Sequence, residues 1–212
     1  MSLKLYGHPI SLCTRRALIV LAEKNVDFEF VNVDFMSAEQ KQPHYKDRLP
    51  FGQIPLLEDG SFGLYESRAI ARYIAARYAG RGTRLLPAQD DIQALGLFEQ
   101  AASIEYSQFY DVALQVLVQK FFNPSKGIAT DEVACEAAVK RLHSILDILN
   151  KILDSQDYFA GDYFSLVDTF YMPTVGHLFH AGEGAAFESL PNLKAWWDRV
   201  SARESWKKVA QH

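Results

Sequence analysis

The hydrophobic pattern of the chain changes near residue 79, and the change separates two halves of different architecture. Before residue 79, alternating apolar segments predict four short strands, at residues 3–6, 28–33, 55–58 and 62–65. Helical spacing predicts helices at residues 14–24 and 67–78 and an irregular helix within residues 37–48. This order predicts a compact α/β domain with a mixed four-stranded sheet, in which the strand at 28–33 is buried on both sides.

After residue 79 the pattern stops and then resumes as helix alone. Gly80, Gly82 and Pro87 interrupt it, so residues 80–87 are predicted to be a linker between a first domain at 1–79 and a second at 88–212. The second domain is expected to be all-helical, with helices at 91–120, 131–153, 165–181, 193–200 and 204–209. The fold class is therefore α/β plus all-α.

The helix predicted at 165–181 begins with a recognisable N-terminal signal. Ser165 stands at the cap position and Asp168 follows three residues later, which is typical of a capping box. Pro173 lies within the same helical pattern and is expected to bend the helix, because proline cannot donate an intrahelical hydrogen bond.

Composition excludes several classes of protein. The chain has 22 basic and 26 acidic residues, a net charge of −4, which provides no broad cationic surface for nucleic acid or anionic lipid. No apolar run approaches the roughly 18 residues of a membrane-spanning helix. The first residues lack the apolar stretch of a secretory signal, and the two cysteines are too few for a disulfide-stapled scaffold. A cytoplasmic, globular protein is the expectation.

Ser11 lies where the first strand ends and the first helix begins. A helix N-terminus presents unpaired backbone N–H groups and a partial positive charge, so it favours an anion. A serine hydroxyl at this position can stabilise a bound thiolate by donating a hydrogen bond. The alternative is that Ser11 only caps the helix, since serine is a common N-cap residue.

The segment Gln53-Ile54-Pro55 precedes the third strand. A proline here is a candidate cis peptide, and a cis bond would leave the backbone N–H and C=O of Ile54 available to a peptide-like ligand. The alternative is an ordinary trans proline on an edge strand.

Glu66 and Ser67 stand at the junction between the fourth strand and the following helix. A carboxylate at Glu66 can accept a hydrogen bond from an ammonium group, and the Ser67 hydroxyl and backbone N–H can bind a carboxylate. The alternative is a capped helix with an exposed acid.

Together these segments resemble the glutathione transferases. The residues that carry the resemblance are Pro9-x-Ser11 before Arg15-Arg16, then Pro50-Phe-Gly-Gln-Ile-Pro55, then Glu66-Ser-Arg-Ala-Ile70. It continues through Phe159-Ala-Gly-Asp162, the capping signal at Ser165 and the proline-containing helix. The chain is most similar to the phi class, which belongs to the serine-type group.

The resemblance implies a thioredoxin-like first domain that binds glutathione, and it assigns roles to individual residues. Ser11 would support the glutathione thiolate, with a backbone contact from Leu12. Gln53, Ile54 and Pro55 would pair with the cysteinyl backbone, and Glu66 and Ser67 would hold the γ-glutamyl end. Gln40 and Lys41 match the positions that reach the glycyl carboxylate, although the phi pattern often has histidine where this chain has Gln40.

A hydrophobic electrophile is expected to bind against the helical domain. The apolar candidates to line a pocket facing Ser11 are Leu12, Phe35, Tyr106, Tyr110, Leu114, Phe121 and Phe122. The alternative is that these aromatic residues form ordinary helical core. The implied protein is a homodimer, with Arg68 as a candidate for pairing across the dimer interface.

Two residues near Ser11 offer rival chemistry. Tyr6 is the alternative thiolate donor, since tyrosine-type transferases place one at the end of the first strand. Cys13 raises the possibility of a cysteine-type thiol transferase, although it stands two residues beyond the position that such enzymes use. A small buried hydrophobe is the other interpretation of Cys13.

The function that follows is conjugation of glutathione to hydrophobic electrophiles, with reduction of organic hydroperoxides as a further expectation. Glutathione is a cosubstrate, and no cofactor, nucleotide, nucleic acid or membrane partner is expected. His177 and His180 have a metal-compatible spacing but lack a third ligand, so no metal is expected. The alternative function is a non-catalytic binding or regulatory protein of the same fold.

Overall fold

The computed structural model describes residues 3–34 and 37–211 and divides into two compact units. The first unit comprises the described residues up to Leu86 together with those from Glu204 onward, and the second is Pro87–Arg203. The division after Leu86 lies within the predicted linker. The sequence-based second domain, 88–212, includes the last helix of the chain, whereas the structure groups that helix with the first unit.

The first unit contains the mixed four-stranded sheet that the sequence predicts. Its strands are β1 (Leu3–Gly7), β2 (Glu29–Asn32), β3 (Leu56–Asp59) and β4 (Phe62–Tyr65), in the order β2-β1-β3-β4. β1 is parallel to β2 and antiparallel to β3, and β3 and β4 form an antiparallel hairpin. Both faces of β2 were predicted to be buried, and this prediction is wrong: β2 is an edge strand, with Glu29 and Asn32 exposed.

Two helices connect these strands, a third follows β4, and a fourth packs with them. They are α1 (Leu12–Glu23), α2 (Pro43–Lys46), α3 (Ser67–Arg77) and the last helix of the chain, α11 (Glu204–Ala210). The core between sheet and helices includes fully buried Leu5, Leu57, Ala17 and Ile70.

The start of the predicted linker is fixed to the end of α1. Glu23 accepts hydrogen bonds from the hydroxyls of Thr83 and Ser205, both at 2.5 Å, so one buried carboxylate joins α1, the connecting segment and α11. The Thr83 backbone N–H also donates to the Glu23 carbonyl at 2.9 Å. Gly82 has φ +56°, and a Cβ there would lie 2.0 Å from the Glu23 carbonyl oxygen, so this close approach requires glycine.

Within residues 87–203 the regular elements of the second unit are all helices, and the only strand-like pairing is one isolated bridge between Tyr158 and Gly161. Its α-helices are α4 (Ile92–Ile104), α5 (Asp111–Leu117), α6 (Asn123–Ser125), α7 (Glu132–Ile152), α8 (Leu166–His180), α9 (Gly184–Glu188) and α10 (Pro191–Ser201). The predicted continuous helix at 91–120 is interrupted by two wider π-helical segments, Glu105–Tyr110 and Val118–Phe122. Such segments add a residue to a turn and frequently occur at functional sites.

Helix α8 forms the centre of the second unit. The predicted capping box is confirmed: Asp168 accepts from the Ser165 backbone N–H at 2.8 Å, and the Ser165 hydroxyl caps the first turn. Asp168 is fully buried and also accepts from Trp196 Nε1 at 2.9 Å and the Phe159 N–H at 3.2 Å. Burial raises the pKa of Asp168, and these donors oppose that rise.

Candidate functional site

Ser11 is the N-cap residue of α1. Its backbone is extended (φ −71°, ψ 124°), and its Oγ accepts from the Thr14 backbone N–H at 3.3 Å. Within the part of the chain that the structure describes, no acceptor takes the hydroxyl hydrogen of this half-buried side chain. Capping and donation therefore use different parts of one hydroxyl, and the two interpretations of Ser11 are compatible.

The sheet register brings the loops that carry the sequence motifs to one end of the sheet. Tyr6 pairs with Leu56, and Leu56 pairs with Tyr65. The loop to Ser11 leaves β1 at this end, Gln53–Pro55 enters β3 there, and Glu66 follows β4 there. Gly7 pairs with Asn32 of parallel β2, so the segment that leads to Gln40 leaves the sheet at the same end.

Gln53, Ile54 and Pro55 differ in exposure. Gln53 is exposed, Pro55 is buried, and half-buried Ile54 packs against a cluster of Val33, Tyr45, Leu49 and Leu56. The Ile54–Pro55 peptide is cis, which is one of the two forms that the sequence left open.

Glu66 and Ser67 begin helix α3. Glu66 is exposed and has φ +71° and ψ 109°, a sparsely populated conformation of the kind that is over-represented at functional sites. Ser67 is buried at the first position of α3, and its Oγ accepts from Arg16 Nη1 at 3.4 Å. A carboxylate held at this helix start would meet the N-terminal N–H groups of α3.

Sequence analysis assigned no role to Arg16 beyond its place in the first motif, and it missed the contact between Arg16 and Ser67. Arg16 is fully buried, and its Nη1 also donates to Cys13 Sγ at 3.3 Å. It places a positive charge behind the start of α3. The signal in the sequence was an arginine within the buried stripe of an apolar helix, since arginine is rarely buried without partners.

Gln40 and Lys41 lie in a single 3-10 turn, Glu39–Lys41. Gln40 is only 8% exposed, and its Oε1 has no hydrogen-bond partner among the described residues. A Cβ at Gly52 (φ +59°) would lie 3.3 Å from the Gln40 carbonyl oxygen, so this turn rests against the residue that precedes Gln53. Lys41 is exposed, so its positive charge lies at the protein surface beside this turn.

Tyr6 does not present its hydroxyl as a free donor. The hydroxyl donates to Glu58 Oε2 at 2.8 Å, and the Arg48 guanidinium lies 4.6 Å from the centroid of the Tyr6 ring. Both contacts bind Tyr6 to neighbouring strand and loop side chains. The geometry favours Ser11 over Tyr6 as the thiolate donor.

The candidates for an apolar site in the second unit occupy the segment with the two π-helical turns. Tyr106, Tyr110 and Leu114 recur every four residues, with Tyr106 exposed and the other two half-buried. Phe121 and Phe122 are half-buried, and their rings meet edge to face at 5.4 Å. Leu12 of the first unit is buried, and Phe35 lies outside the described residues.

Neither of the paired histidines has metal-site geometry. His177 is buried, its Nδ1 lies 3.0 Å from the Pro173 carbonyl oxygen, and its ring packs on Phe121 at 5.5 Å. The described residues contain no group of three or more His, Cys, Asp or Glu that could hold a metal ion. Among the described helices, none is long and apolar enough to cross a bilayer.

Comparison with known proteins gives one consistent family. Residues 1–76 match the family model "Glutathione S-transferase, N-terminal domain", and residues 109–204 match the corresponding C-terminal domain model. The Arabidopsis thaliana protein "Glutathione S-transferase PM239X14" is 42% identical over 93% of this chain and 90% of its own.

Solved structures agree with this result. Glutathione transferase F7 from Populus trichocarpa superposes with a TM-score of 0.94 at 37% identity, covering 99% of this chain and 98% of its own. Glutathione S-transferase I from mais, solved with an atrazine glutathione conjugate, superposes with a TM-score of 0.91 at 30% identity over 100% and 97% of the two chains.

Proposed function

The chain belongs to the glutathione S-transferase family, and from that membership we propose that Ser11 activates bound glutathione as a thiolate for attack on hydrophobic electrophiles. The chain is a glutathione transferase, and the F-named plant relatives support the phi class that its motifs resemble. The alternative, a non-catalytic protein of the same fold, has no such support.

One observation carries the assignment of the site. The sheet register aligns Tyr6, Leu56 and Tyr65 in one row, so the loops that contain Ser11, Gln53–Pro55 and Glu66–Ser67 leave from a single end of the sheet. Those three loops carry the complementary groups that a tripeptide with an ammonium, a thiol and carboxylates requires.

We assign each part of glutathione to groups of matching chemistry. Exposed Glu66 would accept from the γ-glutamyl ammonium, and Ser67 with the α3 N-terminus would bind the adjacent carboxylate. Gln53, Ile54 and Pro55 would pair with the cysteinyl backbone.

The glycyl end and the sulfur are assigned to the remaining residues. Gln40 and Lys41 would reach the glycyl carboxylate, which would accept hydrogen bonds from the Gln40 side-chain amide nitrogen and the Lys41 ammonium group. Leu12 would add a backbone contact beside the sulfur held by Ser11.

The chemical step needs little from the protein beyond this positioning. The thiol proton passes to solvent, and the thiolate remains stabilised by the Ser11 hydroxyl and the N-terminus of α1. The sulfur forms a bond to the electrophilic carbon, and with an aryl halide the halide departs with the bonding electrons. Ser11 acts as a hydrogen-bond donor and forms no covalent bond.

We further propose that Tyr106, Tyr110, Leu114, Phe121 and Phe122 bind the electrophile, with Phe35 and Leu12 as additional apolar candidates. The related glutathione S-transferase I from mais was solved with an atrazine glutathione conjugate, and apolar side chains suit a hydrophobic electrophile. The same thiolate would also reduce organic hydroperoxides, with two glutathione molecules oxidised to the disulfide for each hydroperoxide reduced to an alcohol and water.

We also propose that the active form is a homodimer in the cytoplasm. Phe51 in the first unit is 72% exposed, and Ile92 and Leu97 on α4 of the second are 74% and 60% exposed; we take these side chains as candidates for the dimer interface, because apolar surface gathered in a patch marks an interaction site. Arg68 is a candidate for an interface ion pair. Neither Cys13 nor Cys135 forms a disulfide bond, which fits a reducing compartment.

A conjugation assay with a generic aryl halide tests the function. Turnover by the wild type, loss of turnover in Ser11→Ala and retention in Cys13→Ala would support the serine-type mechanism. Glutathione binding without turnover would support the non-catalytic alternative. Loss in Cys13→Ala with little change in Ser11→Ala would instead identify a thiol transferase.

A further inference from the structure

The π-helical segment Val118–Phe122, which carries Phe121 and Phe122, is anchored by polar contacts on both sides. On one side, the Gln119 carbonyl accepts from the Thr130 hydroxyl at 3.0 Å, and Gln119 Oε1 accepts from the Asp131 backbone N–H at 3.0 Å. A π-helical turn displaces backbone carbonyls from the regular helical pattern. The Thr130 and Asp131 contacts therefore tie the turn to the start of α7.

On the other side, Lys120 forms an ion pair with Glu183. Lys120 Nζ lies 2.5 Å from Glu183 Oε1, and His143 Nε2 of α7 lies 2.9 Å from Glu183 Oε2. Each carboxylate oxygen therefore has its own donor. The acid stands at the beginning of α9, where its backbone N–H donates to the Leu178 carbonyl at 2.9 Å.

The burial of Glu183 distinguishes this pair from an ordinary surface ion pair. The Glu183 side chain is 5% exposed, whereas that of Lys120 is 33% exposed and that of His143 is 48% exposed. A carboxylate with so little access to water must keep its protein partners, so the lysine of the π turn is held at a fixed point. Burial alone would raise the pKa of Glu183, but the bonds from Lys120 and His143 outweigh it and keep that pKa below its ordinary value.

The residue after Lys120 is Phe121, whose ring packs on buried His177 of α8. Fixing Lys120 therefore fixes the direction in which the next two aromatic rings leave the helix. Without the buried acid, the π turn loses its contact on this side and can relax towards regular helix. A regular helix turns by about 100° per residue, unlike the wider π turn, so this relaxation would change the direction of the Phe121 and Phe122 rings.

We propose that Glu183 is a positioning residue for the electrophile site: through Lys120 it holds the π turn that orients Phe121 and Phe122. This inference rests on the proposed function, because it gives those two rings their role in binding the electrophile. Glu183 acts on the apolar substrate alone and has no part in binding or activating glutathione.

The test compares steady-state kinetics of four variants with an aryl halide electrophile. Lys120→Met and Glu183→Gln remove the ion pair, and Lys120→Arg keeps a cation able to reach the carboxylate. Lys194→Met is the matched control, since Lys194 forms an exposed ion pair with Asp198 in the same unit. Phe121→Ala is a fifth arm that reports directly on the electrophile site.

The expected result is that Lys120→Met and Glu183→Gln raise the KM for the electrophile about fivefold to tenfold. The KM for glutathione and kcat should remain near wild type, since lost binding of one substrate alone changes its KM. Lys120→Arg and Lys194→Met should leave all three constants near wild type.

Three results would overturn the proposal. If Lys120→Met and Glu183→Gln lowered kcat and Tm but left the KM for the electrophile unchanged, Glu183 would only stabilise the helical unit. An unchanged electrophile KM in Lys120→Met while Phe121→Ala raises it would remove Glu183 from the electrophile site and leave the proposed function intact. No effect of Phe121→Ala would reject both the location of that site and the role of Glu183.

Discussion

Replacing Ser11 with alanine should raise the pKa of enzyme-bound glutathione, because it removes a hydroxyl whose hydrogen has no acceptor among the described residues. A free thiol has a pKa of about 8.5, so only a few per cent is thiolate at pH 7. Lowering that pKa by about two units requires about 2.7 kcal/mol of preferential thiolate stabilisation.

The structure provides two contributions of suitable size. A hydrogen bond to a charged group contributes about 1.5–3 kcal/mol, and a helix N-terminus contributes about 0.3–1 kcal/mol at an exposed site. Ser11→Ala removes the first contribution and leaves the α1 N-terminus in place. The thiol pKa should therefore rise by about 1–2 units, and turnover at pH 6.5 should fall about tenfold or more.

The substitution also removes a helix cap, since Ser11 Oγ accepts from the Thr14 N–H at 3.3 Å. Loss of that cap should lower the free energy of unfolding by about 1 kcal/mol. Ser11→Thr is the control for this second effect, because it keeps both the cap and the donor.

The assay is a titration of thiolate absorbance with glutathione bound, in wild type, Ser11→Ala and Ser11→Thr, together with the pH dependence of conjugation. The expected pattern is a curve displaced to higher pH in Ser11→Ala alone, with activity recovering in part above the new pKa. Coincident titrations of the wild type and Ser11→Ala would refute the role of the hydroxyl, whatever happens to turnover.

Three further predictions follow from contacts elsewhere in the chain. Gly82→Ala should lower the free energy of unfolding by about 2 kcal/mol or more, because its Cβ would lie 2.0 Å from the Glu23 carbonyl oxygen, whereas Gly80→Ala meets nothing within 4 Å; equal denaturation midpoints for the two variants would contradict this. The folded-state pKa of Glu183 is below its ordinary value, so the ionised Glu183 should contribute fully to stability above about pH 4.3, and that contribution should disappear as pH falls through the folded-state pKa. The difference in Tm between the wild type and Glu183→Gln should therefore become smaller in acid. A difference that becomes larger in acid would contradict the direction of this pKa shift. Phe51→Ala should shift the sedimentation coefficient towards that of the monomer. Val133→Ala is the control, because it truncates an 81% exposed side chain, and it should leave sedimentation unchanged. Unchanged sedimentation of both variants would exclude Phe51 from the dimer interface.

Several parts of the fold could be predicted because local sequence determines them. Alternating apolar residues predicted the strands, and the change to helical spacing near residue 79 separated the α/β region from the helical one. The capping box at Ser165 and Asp168 was predicted because it joins residues only three positions apart. The same local signals placed Ser11 and Ser67 at helix starts.

Other features depend on contacts between distant residues, which a local pattern cannot report. The Tyr6 hydroxyl lies against Glu58, and Arg16 reaches Ser67, 51 residues away. The sequence left open whether Ser11 or Tyr6 was the better donor, and the Tyr6–Glu58 bond favours Ser11.

The π turns and the placement of the last helix show the same division. Local spacing predicted one continuous helix at 91–120, yet the turn at Val118–Phe122 carries Lys120, which pairs with Glu183, 63 residues away. Helix α11 packs with the first unit through Ser205 and Glu23, which are 182 residues apart. The sequence determined which segments are helix or strand and which carry reactive groups, because those depend on neighbours along the chain. Tertiary structure decided which groups meet and which way they point, because burial leaves each polar atom only the partners that packing brings to it.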